Sequence, residues 1–265
     1  MKILVIIPAR GGSKRIPRKN VRLMNGKPLI MYSVENALSL KENFDADVAV
    51  STDDEELSGI AGDHGAEIVI RGEELSGDKV TLDPVIYDAV LKMEERHGKH
   101  YDTVITMQAT SPTLNKGTLV SAIEYFNEGG FDTVISVTNK PHLSWTKKDG
   151  KIVKNYEERL NSQFLPPNYL ETGAFLISKR ECVDEKGRIG KNVSVYETSP
   201  EEAVDIDSYT DWIEAEAILK RKRVLFRAVG QRKLGMGHIY RCLSLAYKLI
   251  AHEVMFVTDS KARWE

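Results

Sequence analysis

Short runs of consecutive apolar residues alternate along the chain with segments whose apolar positions recur every three to four residues. Ile3–Ile7, Val48–Ser51, Ile68–Ile70, Thr103–Met107, Thr133–Val137 and Ala174–Ser178 have strand length, and most are apolar on successive residues, as strands covered on both faces require. Between them, Ile30, Val34, Ala37 and Leu38 line one helical face, Ile86, Ala89, Val90 and Met93 a second, and Leu119, Ala122, Ile123 and Phe126 a third. Asp83-Pro84 reads as the N-cap and first-turn proline of the second helix. The alternation predicts an α/β fold with a mostly parallel sheet between helical layers.

The pattern lapses between Thr138 and Thr172. There Asp149-Gly150 separates Trp145–Lys148 from Lys151–Lys154 as a tight hairpin turn would, so this stretch is expected to leave the sheet as an excursion. Ser208–Asp211 forms a capping box ahead of a helix carrying Trp212, Ala215, Ile218 and Leu219, and the cations Lys220–Arg223 suit its C-terminal end. A further strand–loop–helix–strand unit follows at Val224–Val229, Gly230–Gly237, His238–Ile250 and Val254–Val257. The expected organisation is one domain over residues 1–222, with its excursion at 138–172, and a small unit over 223–265 that is short for an independent domain.

Composition narrows the function classes. With 37 Lys plus Arg against 39 Asp plus Glu in 265 residues, the formal charge of −2 argues against a dedicated nucleic-acid binder. The 42% hydrophobic content argues against disorder. No apolar run approaches the roughly 18 residues of a membrane span. The cation and apolar stretch at the N-terminus run into Pro8-Ala9-Arg10 without a small-residue cleavage site, so a cytoplasmic protein with no membrane partner is expected. Cys182 and Cys242 lack metal or redox spacing and read as reduced thiols.

Four polar segments follow strands and carry the candidate chemistry. In Pro8–Asn20 five cations, Arg10, Lys14, Arg15, Arg18 and Lys19, crowd around Gly11-Gly12. Glycines admit an anion close to backbone N–H groups, and the C-terminal edge of parallel strands is where α/β folds place such ligands, so the loop should hold a triphosphate; a plain cationic surface loop is the alternative. It is neither a Walker A nor a GxGxxG loop. Val204-Asp-Ile-Asp-Ser208 in extended form sends Asp205 and Asp207 to one side, where paired carboxylates suit Mg²⁺ or else serve the following helix. Met107–Pro112 presents Gln108, a two-way hydrogen-bonding group, or simply turns the chain. Arg71–Asp78 reads as a loop, and Asp53-Asp54 as a helix cap more than a metal site.

Together these segments resemble the CMP-sialic acid synthetases, the acylneuraminate cytidylyltransferase family. The resemblance rests on Ile-Pro-Ala-Arg-Gly-Gly-Ser-Lys-x-Ile-Pro-x-Lys-Asn, Ser-Thr-Asp-Asp, Arg-x-x-Glu-Leu-Ser-x-Asp, Gln-x-Thr-Ser-Pro, Thr-Gly-Ala-Phe and Asp-Ile-Asp-Ser, in this order across residues 1–222. It implies the three-layer fold of nucleotide-diphospho-sugar transferases, with the excursion serving a homodimer. It also implies transfer of CMP from CTP to an acidic nine-carbon keto sugar (sialic, legionaminic or pseudaminic acid) with Mg²⁺. An eight-carbon keto sugar acid, or a nucleotide-binding protein with weakened catalysis, are the alternatives.

The matching positions take the family's roles by resemblance. Arg10, Lys14 and Lys19 would bind the triphosphate, with Ser13 and Asn20 beside them; Arg71 would contact cytidine; Asp205 and Asp207 would hold the metal, and Gln108 the sugar. Lys140 matches a lysine that reaches the neighbouring subunit's site, and Gln163 keeps the second position of an Arg-Gln pair whose arginine is here Ser162. Thr172-Gly-Ala174 also departs from the family's Asn-Gly-Ala. The tail from Val224, with Gly235-Met-Gly-His238, is similar to the opening of a nucleotide-sugar hydrolase of the pseudaminic acid pathway, in which the histidine matching His238 is catalytic; with most of that fold missing, no hydrolase activity is expected from it.

Overall fold

A computed structural model of the chain describes residues 1–77, 79–228 and 237–258. Asp78 of the arginine motif and nearly all of the Gly230–Gly237 loop lie outside the described residues. In chain order the strands are β1 (Lys2–Pro8), β2 (Leu23–Met24), β3 (Lys27–Pro28), β4 (Asp45–Thr52), β5 (Glu67–Ile70), β6 (Thr103–Thr106), β7 (Thr133–Asn139), β8 (Trp145–Lys148), β9 (Lys151–Lys154), β10 (Tyr169–Lys179), β11 (Val193–Glu197), β12 (Arg223–Arg227) and β13 (Glu253–Val257). The helices are α1 (Leu29–Ser39), α2 (Glu55–Asp63), α3 (Leu82–His97), α4 (Lys116–Gly129), α5 (Tyr209–Leu219) and α6 (Gly237–Ala246).

Seven strands form one sheet in the order β11-β7-β10-β6-β1-β4-β5. All neighbours are parallel except β10, which runs antiparallel to both β6 and β7. The apolar run of β1 explains its central place. Ile3, Val5 and Ile7 enter the core shared with α1, α2 and α4, while Leu4 and Ile6 enter the core under α3. Each is fully buried, and the sheet is thus covered on both faces as read from the sequence. Truncating one of these five to alanine is expected to cost about 2–5 kcal/mol.

Several local readings change. α3 begins at Leu82 with Thr81 at the cap position, so Asp83 stands in the first turn, where it pairs with Arg188 at 2.6 Å. Pro84 sits at the third helical position, whose N–H has no partner inside a helix anyway. β10 starts at Tyr169 rather than Ala174, and a register shift between Glu171 and Leu176 interrupts its pairing with β7. β11 went unread, although Val193 to Glu197 alternates. The excursion folds as expected: β8 and β9 pair antiparallel around Asp149 (φ 50°) and Gly150 (φ 80°), the twist that a two-residue hairpin requires.

Met1–Ala215 and Glu216–Glu265 pack as two units, the division falling inside α5. In the second unit β12 and β13 pair in parallel, and Ile239 and Cys242 of α6 meet Ala228 and Phe226 in a small core. The helix expected to reach Ile250 stops at Ala246, after which Lys248 and Leu249 donate to the carbonyls three residues back, the tightening that ends many helices.

Candidate functional site

A cleft of about 500 Å³ opens at the C-terminal edge of the parallel strands. Its first wall is the loop after β1, which is moored to the N-terminus of α2. Gly11 donates its N–H to Asp53 Oδ1 at 2.9 Å, and a Cβ on Gly11 would stand 2.3 Å from Asp54 Oδ2, so the approach requires glycine. Asp54 caps α2 by accepting the Leu57 N–H at 3.0 Å, and Arg18 pairs with Asp54 and Glu56. The Gly11 N–H read as an anion contact is therefore committed to Asp53, and the acidic pair both caps a helix and anchors this loop. Asn20, nearly buried, donates to the Arg10 carbonyl at 3.1 Å, and its Oδ1 accepts no hydrogen bond from the described residues.

The second wall comes from β5, β6 and the segment before α5. Arg71 is held in place by Nε to Ser51 Oγ at 3.0 Å and Nη2 to the Ser51 carbonyl at 2.7 Å. Ser33 donates to the Gln108 carbonyl at 3.0 Å, and the Gln108 N–H reaches the Gly173 carbonyl at 3.3 Å. Gly173 has φ 71°, and a Cβ there would meet the Gln108 amide at 2.8 Å, so the bulge in β10 is what lets Gln108 reach the cleft. Ile206 donates to the Thr110 carbonyl at 2.9 Å. Val204 and Ile206 are buried while Asp205 and Asp207 are exposed, the alternation read from the sequence. Asp211 closes the capping box, taking the Ser208 N–H at 2.7 Å.

Burial sets the electrostatics of the cleft. Burial lowers the Lys19 amine below its usual pKa, despite the opposing pull of Asp207 and Asp205. Burial likewise lowers the Arg71 guanidinium. Dense surroundings raise the Asp205 carboxyl, and the nearby Asp207 charge adds to this, while a hydrogen bond from Thr110 opposes it. A divalent cation held by Asp205 and Asp207 would relieve that repulsion, so this pair of hard oxygen donors fits Mg²⁺.

Of the residues read from the sequence, Arg10, Ser13, Lys14 and Lys19 line the cleft from one side, and Arg71, Gln108 and Asp207 from the other, with Asn20 between. Lys140 and Gln163 do not line it; both are exposed in the excursion, Lys140 at its base where its N–H meets the Asn168 carbonyl at 2.9 Å. Sequence reasoning counted Arg15 among the loop's cations and Thr110 in the strand-ending segment, but two of their contacts escaped it. Arg15 pairs with Asp207 Oδ2 at 2.7 Å, and Thr110 ties the Gln108 loop to the aspartate segment. The Arg71 end also carries apolar walls from Leu75, Val80 and Val85, suited to a flat ring, while the loop end is cationic and suited to a polyphosphate.

Comparison with known proteins gives the chain a family. Residues 4–177 match the family described as Cytidylyltransferase. An N-acylneuraminate cytidylyltransferase of Danio rerio is 33% identical over 221 residues, 81% of this chain, which spans about half (50%) of that relative's length. A pseudaminic acid cytidylyltransferase of Campylobacter jejuni is 36% identical over 230 residues, 83% of this chain and 97% of its own. Among solved structures, a CMP:2-keto-3-deoxy-manno-octonic acid synthetase complexed with CTP shares the fold, with a TM-score of 0.60 over 83% of this chain and 98% of that one at 16% identity.

Proposed function

Because the chain belongs to the cytidylyltransferase family, we propose that it transfers CMP from CTP to a nonulosonic acid, releasing pyrophosphate. The observation that carries this reading is that one cleft has a cationic loop at one end, Arg71 and apolar walls at the other, and Asp207 at its edge. CTP would lie with its cytosine at the Arg71 end and its triphosphate along Arg10, Lys14 and Lys19. The sugar's anomeric hydroxyl would attack the α-phosphorus, with Gln108 orienting the sugar by hydrogen bonds. Lys19, half-buried and tied to the Ile206 carbonyl, is preorganised to take up charge as pyrophosphate leaves. Mg²⁺ held by Asp205 and Asp207 would supply charge neutralisation at the phosphates.

The excursion supports a homodimer. Trp145, Ile152 and Phe164 are 57%, 65% and 65% exposed on it, and Lys140 and Gln163 sit there rather than on the cleft, positions from which they would serve a neighbouring subunit's sugar. Sedimentation equilibrium is expected to give twice the chain mass. No helix among the described residues is long and apolar enough to cross a membrane. For residues 223–265, the parallel β12–α6–β13 arrangement supports a strand–helix–strand piece similar to the start of a nucleotide-sugar hydrolase.

The test is Mg²⁺-dependent pyrophosphate release with CTP and a panel of sialic, legionaminic, pseudaminic and eight-carbon keto sugar acids, beside UTP and ATP. Release with CTP and one nine-carbon acid is expected. Release only with the eight-carbon acid, or only with another nucleotide, would replace this reading.

A further inference from the structure

The Asp207 carboxylate is bracketed by the loop that faces it. Arg15 Nη1 lies 2.7 Å from Asp207 Oδ2, and Lys19 Nζ lies 3.7 Å from Oδ1. The two cations differ in freedom. Lys19 is 13% exposed and bound to the Ile206 carbonyl, whereas the Arg15 side chain is 72% exposed and Asp207 is its one hydrogen-bond partner among those resolved in the described residues. Arg15 also lines the cleft two residues from Ser13 and one from Lys14, within reach of any polyanion entering there.

Resting on the reading of Asp207 as a metal ligand, we infer that Arg15 is an exchangeable counter-ion: it holds Asp207 while the cleft is empty and transfers to the nucleotide's polyphosphate when the metal–nucleotide complex arrives. Three physical points support the exchange. An exposed ion pair is weak, so its rupture is a small barrier to binding. A guanidinium fork matches phosphate oxygens as well as it matches a carboxylate. Lys19, by contrast, cannot leave without abandoning a carbonyl it satisfies in a half-buried place. The arrangement makes metal and nucleotide cooperate: the bare metal competes with Arg15 for Asp207, whereas the nucleotide draws Arg15 away and opens that oxygen. By linkage, metal must strengthen nucleotide binding by the same factor.

The experiment is a titration of Mn²⁺ alone, followed by the paramagnetic resonance of the free ion, on the full chain and on Arg15→Ala, Lys14→Ala and Asp207→Asn, each repeated with CTP and with each variant's fold checked by circular dichroism. Arg15→Ala is expected to tighten Mn²⁺ about two- to fivefold without nucleotide, the scale of an exposed ion pair. It is also expected to weaken CTP and to lower the factor by which CTP enhances Mn²⁺ binding. Lys14→Ala removes the same charge from the cleft and is expected to tighten Mn²⁺ less. Equal tightening by the two alanine variants, or none by Arg15→Ala, would overturn the exchange. If Asp207→Asn leaves Mn²⁺ affinity unchanged, the metal assignment itself fails, an outcome distinct from the first.

Discussion

At the N-terminal edge of the sheet, Asp47 receives Lys99 and the Tyr101 hydroxyl, each at 2.7 Å, while His97 and Arg96 meet Glu67 at 2.8 and 3.1 Å. Nearby, Arg180 grips both oxygens of the buried Glu94. Burial alone would raise the Asp47 and Glu94 carboxyls, yet their hydrogen-bonded cations overcome it and both titrate below the usual range. At the C-terminal edge the same residue types give the opposite result: burial lowers Lys19 and Arg71, and dense surroundings raise Asp205 although its side chain reaches solvent. One edge has spent its charges on folding. The other holds Asp205, Lys19 and Arg71 away from their usual values, a state that costs stability until a ligand completes it.

The sharpest way to separate the two edges is to remove one member from each. Glu94→Ala strands the Arg180 guanidinium and is expected to cost about 3–4 kcal/mol in urea unfolding, with turnover per folded molecule unchanged. The linkage sign is fixed by the depressed pKa. The unfolded chain binds the proton more readily than the folded one, so the contribution is complete above the usual carboxylate range and drains away as pH falls through the folded-state value. Glu94→Ala should therefore flatten the acid limb of the stability profile. Asp207→Asn is expected to do the reverse, lowering turnover about 100-fold while the melting temperature holds. Loss of folding in that variant, or normal turnover, would erase the distinction between the edges.

Smaller effects refine it. Arg71→Lys keeps the charge and loses the fork on Ser51, so KM for CTP should rise about tenfold with little change in the rate at saturation. Asp205→Asn removes a carboxyl whose raised pKa makes it unfavourable at neutral pH, since there the folded state must give up a proton it holds more tightly than the unfolded chain. The variant should melt no lower than the parent, any gain being small because solvent screens this exposed carboxyl, and turn over more slowly. A fall in melting temperature would show that the cleft carboxylates support the fold after all.

Much of the fold was legible because a buried parallel strand writes itself as an unbroken apolar run, as β1 does. β11 escaped because it lies at the sheet's edge with alternate residues exposed, a pattern shared with polar loops. The cleft was legible at the level of residue types, since Arg10, Lys19, Arg71 and Asp207 each follow a strand or precede a helix at the same edge. What could not be read was pairing across long separations. Asp53 takes the Gly11 N–H and Arg15 faces Asp207, contacts 42 and 192 residues apart along the chain. Such partners are chosen by strand order, which periodicity does not encode.

β10 carries a last consequence. Because it runs antiparallel to β7, the chain leaves the sheet at Asn139 and returns at Tyr169 on the same edge, so residues 140–168 need not cross the sheet at all. Lengthening such a return costs only about 0.6 kcal/mol per doubling of its length. Parallel neighbours such as β1 and β4 allow no such liberty, since their connection must span the whole domain. The interval between β7 and β10 is thus the place where this architecture can accept insertions, deletions or whole grafted modules without rethreading, and where chains of the same fold have most room to diverge in size.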